Sequence, residues 1–206
     1  MTLAEDLLVA DFNQCFAQMR HYDEAFRRTL EFSLGGIASV VTASGALLGR
    51  YGTTLLTCRL VGTLLLLSSA ASLLLIALMA RNRVYFAIVA KFVNAVRSHY
   101  IGKSPGGFSN PSKMHCDHRL PKIFSPGSTQ SIQLYFLSTC SSLLFSAAVV
   151  LFHASFSMAK GREIVVFWVE PASAALLFLL GEIGWVLFYW RRKQRSRTAD
   201  TAVSGR

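Results

Sequence analysis

Polar and apolar residues follow one another along this chain in long blocks. In the first block Leu8, Phe12, Phe16, Met19, Phe26 and Leu30 recur at helical spacing among Asp11, Arg20, Asp23, Arg27 and Arg28, which puts one apolar stripe on a helix. Thr2 and Glu5 stand before it at the separation of a capping box. Residues 1–31 therefore read as an amphipathic helix. Its polar face carries acids as well as bases, which suits packing on another helix better than lying on anionic lipid.

From Phe32 to Gly49 no residue is charged, about the shortest stretch that crosses a hydrocarbon core. This is the first expected span, 32–49. It is rich in Gly, Ala, Ser and Thr, and Gly45 and Gly49 form one GxxxG, a spacing that lets helix backbones approach closely. Packing within one chain is the commoner use of so short a motif, with a dimer contact as the alternative. Arg50, Tyr51 and Gly52 then make a turn. Span two, 60–80, is leucine-rich and bracketed by Arg59, Arg81 and Arg83, placed as snorkelling side chains are. Residues 32–80 thus form a transmembrane hairpin.

Beyond Arg83 the periodicity stays helical while Lys91 and Arg97 join Val84, Ile88 and Phe92, so the helix of span two is expected to leave the membrane and continue to about Tyr100. Pro105, Gly106, Gly107, Pro111, Pro121, Pro126 and Gly127 then exclude a long regular element over 102–131. Segment 81–131 reads as a basic helix and a Pro/Gly-rich loop. The loop holds His115, Cys116, Asp117 and His118, but adjacent residues do not converge easily on one ion, and paired zinc ligands are normally spaced. No metal and no cofactor is expected.

Ser128 is placed as an N-cap for span three, 132–153, on which Ser138, Ser142 and Ser146 share a face. Lys160, Gly161, Arg162 and Glu163 form the next turn. The apolar stretch from Ile164 to Trp190 supplies span four, about 165–190, with Pro171 marking a kink or a first turn. Trp185, Tyr189 and Trp190 make an interfacial belt ahead of Arg191, Arg192, Lys193, Arg195 and Arg197. Residues 132–190 form a second hairpin, and 191–206 a basic, disordered tail.

Composition agrees with the pattern: of 206 residues 52% are hydrophobic and 16% charged, too apolar for a disordered chain and poorly charged for a soluble one. The 21 Lys and Arg against 11 Asp and Glu give a net charge of +10, but these bases cluster by topology. Three precede span one, eight lie between spans two and three, six follow span four, and only Arg50, Arg59, Lys160 and Arg162 fall on the opposite side. The positive-inside rule then puts both termini and the long loop in the cytoplasm, in a plasma (inner) membrane. Scattered juxtamembrane bases without interleaved aromatics argue against nucleic acid as a partner. The run from Arg191 to Arg197 instead suits anionic lipid headgroups. Glu5, Asp6 and Asp11 precede any base, unlike a signal peptide. Cys15, Cys58, Cys116 and Cys140 are too separated for a CxxC pair and read as small apolar residues.

One residue is expensive. Glu182 lies eight residues before Trp190, about 12 Å below the interface at 1.5 Å per residue, where an acid is a functional-site hypothesis by default. Thr42, Ser69 (or Ser68) and Ser142 fall at similar depth in the other spans, so a polar layer of Glu182, Ser142, Ser69 and Thr42 is expected. Its first reading is structural, a neutral carboxyl hydrogen-bonded to serine that sets helix register. The alternative is a path for protons or cations between protomers, or a site for a lipid or amphiphile. No GxSxG, HExxH or Walker pattern occurs, and His153, Glu163 and Glu170 are the only acid–base candidates on the outer face.

The sequence therefore predicts an all-α, multi-pass integral membrane protein of four transmembrane helices, with an amphipathic N-terminal helix and a cytosolic extension of the second span. It predicts a non-enzymatic scaffold or interaction protein in the lipid bilayer, acting as a homo-oligomer, with a cytosolic protein partner at 81–131. Catalytic residues are absent from the expectation. Gly45, Gly49, Ser138 and Ser146 are its helix-packing positions.

Overall fold

The structure, a computed structural model, describes residues 3–102, 117, 120–123, 125–161 and 169–204. These form four helices, α1 (Leu3–Tyr51), α2 (Leu55–Gly102), α3 (Thr129–Ala159) and α4 (Val169–Ser204), with no strand among the described residues. All four are long and apolar enough to cross a membrane. The chain is an all-helical, multi-pass membrane protein of four spans.

The helix ends follow from local chemistry. Gly52 takes φ +67° and Gly161 φ +63°, the left-handed conformation that closes a helix at little steric cost. The Gly52 N–H bonds back to the Leu48 carbonyl at 2.9 Å. Two residues later Thr54 caps α2, its Oγ1 accepting the Thr57 N–H at 3.2 Å. Pro171 falls in the first turn of α4, where its missing N–H leaves no intrahelical bond unmade.

Two elements run further than the residue pattern suggests. The amphipathic block and span one are a single helix, because a change from charged to apolar residues without Gly or Pro between 28 and 32 gives the backbone no reason to stop. Likewise α4 continues through the basic run to Ser204, where a disordered tail is expected from residue 191. Arg, Lys, Gln and Ala are good helix formers, and no helix breaker intervenes.

The chain divides into two compact units, one of Met1–Arg28, Ala80–Gln130 and Leu187–Arg206, the other of Thr29–Met79 and Ser131–Val186. The second holds a core of Val61, Leu65, Leu144 and Ala148, flanked by Ile37, Val40, Leu47, Leu48, Leu151 and Phe152. Gly62 packs against α3, where an added Cβ would stand 3.3 Å from the Phe152 ring. Leu67, Leu74, Leu143 and Leu177 of the same unit are more than 60% exposed, a surface that hydrocarbon solvates and water does not.

In the first unit α2 packs small residues, Ala87, Ala90 and Val93, into the interior. Phe26 is buried there, and Tyr22 stacks on Tyr85 at 5.6 Å between ring centroids. Arg97 lies over both Phe12 and Phe16. Trp190 is fully buried, its indole N–H donating to the Ala80 carbonyl at 3.1 Å, so a residue expected in an interfacial belt is a packing anchor.

Candidate functional site

Ser138, Ser141 and Ser142 sit three and four residues apart on α3 and so share one face. All three are buried, as are Ser69 on α2 and Glu182 on α4. Ser69 and Ser141 bond reciprocally: Ser69 Oγ reaches the Ser141 carbonyl at 3.2 Å, Ser141 Oγ reaches the Ser69 carbonyl at 3.4 Å, and the hydroxyls lie 3.3 Å apart. Ser142 Oγ donates back to the Ser138 carbonyl at 2.8 Å, the usual way a helical serine hides its donor from an apolar medium.

Glu182 completes this cluster. Its carboxyl faces the hydroxyls of Ser141, Ser138 and Ser142, yet neither carboxyl oxygen, nor Ser138 Oγ, closes a hydrogen bond. Beside it runs a groove of about 470 Å³ whose other walls include Leu73, Ile76, Leu177, Phe178 and Trp185. Hydroxyls in an apolar surround are suited to a neutral carboxyl, and these offer no second acid or base to relay a proton. Ser146 also bridges helices, donating to the Pro171 carbonyl at 2.9 Å.

Thr42 stands outside the cluster. It is exposed on α1 and bonds back to its own helix at the Ala38 carbonyl, 2.9 Å away. Gly45 and Gly49 are exposed too, and a Cβ added at either would meet nothing within 4 Å. The close approach expected of them within the chain is made by Gly62 instead, because the α1 face that contacts α2 and α3 is the larger-residue face of Ile37, Val40, Leu47 and Leu48. The opposite face of α1 is a row of small residues, Gly35, Ala38, Ser39, Thr42, Gly45, Ala46 and Gly49, all exposed.

Arg191, Arg192, Lys193 and Arg195 are exposed along α4, whereas the side chain of Arg197 lies outside the described set. So do His115, Cys116 and His118 of the loop cluster; Asp117 is exposed. No group of three metal-ligating side chains occurs among the described residues. Of the outer acid–base candidates His153 is exposed, Glu163 lies outside the described residues, and so does the side chain of Glu170.

A second polar centre escaped the sequence reading. Arg83, placed there as a snorkelling residue, is only 5% exposed. It donates from Nη1 to Gln130 Oε1 at 2.8 Å and from Nη2 to the Lys122 carbonyl at 3.0 Å. Gln130 passes the chain on, its Nε2 donating to Asp23 Oδ1 at 3.0 Å. About three turns along α2, Asn94 Nδ2 donates to the carbonyls of Leu120 and Asp117 at 2.9 and 3.3 Å. Two polar side chains of one helix thus hold the described part of the loop, although the pairs lie 23 to 47 residues apart in sequence.

The chain matches no protein-family model, no curated protein and no solved structure.

Proposed function

We propose that this protein is a non-enzymatic membrane scaffold or interaction protein that works as a homo-oligomer, joined through the small-residue face of α1. The observation that carries the reading is the uncovered row from Gly35 to Gly49. In lipid, association depends on close backbone packing, and a face of Gly, Ala and Ser at four-residue spacing is what a second helix packs against. Among the described residues, a Cβ added at Gly35, Gly45 or Gly49 meets nothing within 4 Å.

In this reading both termini and segment 81–131 face the cytoplasm, where the amphipathic start of α1 and the extension of α2 form a small layer open to a soluble protein partner. Arg191, Arg192, Lys193, Arg195 and Arg197 then meet anionic lipid headgroups at the plasma (inner) membrane. Glu182 serves helix register. Against the alternative, a proton- or cation-conducting assembly, stands the way the membrane hydroxyls bond to each other and to their own helices.

Energy transfer between labelled full-length chains in liposomes, followed as the lipid-to-protein ratio rises, tests the assembly. Wild type should transfer well above the random-proximity level, and Gly45→Leu/Gly49→Leu should fall to that level while each chain stays folded. Wild-type transfer at the random level, or transfer unaffected by the two leucines, would remove the α1 interface.

A further inference from the structure

Within the first unit, Arg83 lines a cavity of about 950 Å³. Two of its sides differ in chemistry. Among the described lining residues, Phe16, Met19 and Phe86 supply apolar wall, while Arg83, Arg97 and Lys122 bring three positive charges against the one negative charge of Asp117. Arg83 is the informative one. Its two described hydrogen bonds go to neutral acceptors, an amide oxygen and a backbone carbonyl, and its buried Nε has no partner among the described residues. The Asp23 carboxylate reaches it only through Gln130. A guanidinium taken out of water without an anion is costly, and natural sites supply the counter-charge from a side chain or a ligand.

We infer that this cavity binds a phosphate-bearing ligand with an apolar portion, the phosphate meeting Arg83, Arg97 and Lys122 and the apolar portion lying against Phe16, Met19 and Phe86. The planar guanidinium suits a phosphate because two parallel N–H groups can each meet an oxygen. Asn94, which ties down the Asp117 and Leu120 carbonyls, and Arg83, which ties down that of Lys122, hold the loop wall of the cavity in place. The site is independent of the α1 interface. Either a membrane phospholipid or a soluble phosphate compound offers this chemistry.

Full-length protein in maltoside micelles, which carry no phosphate, titrated separately with inorganic phosphate and with short-chain dihexanoyl phosphatidic acid, tests the inference by calorimetry and by the shift of the thermal midpoint. At least one probe should bind saturably and raise the midpoint. Tight binding of phosphatidic acid with phosphate ineffective assigns the ligand to the membrane, whereas equal binding of phosphate assigns it to the cytosol or the medium. Arg83→Gln should weaken binding about tenfold or more, the loss expected for a charge-assisted pair. Because Arg83 also braces the loop, Arg97→Gln/Lys122→Gln, which removes two cavity charges and leaves the bonds from Arg83 and Asn94 to the loop in place, should weaken it several-fold while lowering the ligand-free midpoint by no more than the loss of the Arg97 contacts with Phe12 and Phe16. Neither probe binding wild type saturably, or binding undiminished in the double variant, would overturn the site.

Discussion

Arg83 and Glu182 are both ionisable and both nearly sealed from solvent, at 5% and 6% exposure, but their surroundings differ in kind. Arg83 is bonded to Gln130 and to the Lys122 carbonyl, and through Gln130 to Asp23. Glu182 faces the hydroxyls of Ser138, Ser141 and Ser142, all neutral and all on one helix. The first residue organises its unit, because segments far apart in sequence depend on it. The second is accommodated by its unit, whose cohesion comes from packing at Val61, Leu65, Leu144 and Ala148. A buried charge therefore says little about stability until its partners are known.

The contrast breaks if Arg83 proves dispensable. Arg83→Met leaves the buried Gln130 Oε1 without its donor and releases the Lys122 carbonyl, and should cost about 3 kcal/mol, read from denaturant unfolding in mixed micelles. Asn94→Leu releases the carbonyls of Leu120 and Asp117, two exposed residues whose bonds to Asn94 are part-buried, and should cost about 1.5 kcal/mol in that titration. In the other unit the sensitive point is steric: Gly62→Ala pushes a methyl to 3.3 Å from the Phe152 ring and should cost about 1 kcal/mol. Glu182→Gln, which keeps shape and hydrogen-bonding capacity, should stay within about 0.5 kcal/mol of wild type. If Glu182→Gln destabilised more than Gly62→Ala, the carboxyl would be holding its unit together and the contrast would fail.

How much of this was legible in the sequence depends on the range of the interaction. The four spans were, since apolar runs and charge clusters are local. So were the turns at Gly52 and Gly161 and the first-turn place of Pro171. Three members of the expected polar layer, Glu182, Ser142 and Ser69, do lie in one cluster, because depth in a span follows from counting residues. Thr42 does not, since depth says nothing about which way a helix is rotated, and α1 turns its larger residues inward. Rotation also hid Ser141, although its three-residue spacing from Ser138 was there to see. Nothing local marks Arg83 as buried. Its partners Lys122 and Gln130 lie 39 and 47 residues away, and a basic residue just past an apolar run looks the same whether it snorkels or turns inward. Trp190 was misread for the same reason.

Topology has its own check: with the orientation proposed, a membrane-impermeant maleimide should label Cys15 and Cys116 only from the cytoplasmic side, and labelling of either from outside would reverse the assignment of the α1 start and the loop.

The most direct test of the central claim, that the membrane hydroxyls and Glu182 serve packing in a scaffold and line no pathway, is ion and proton flux through liposomes reconstituted with wild type and, in parallel, with Glu182→Gln. Folded protein of either kind should leave flux at the level of protein-free liposomes. Wild-type flux that Glu182→Gln abolishes would contradict the account and put that carboxyl in a conduction path.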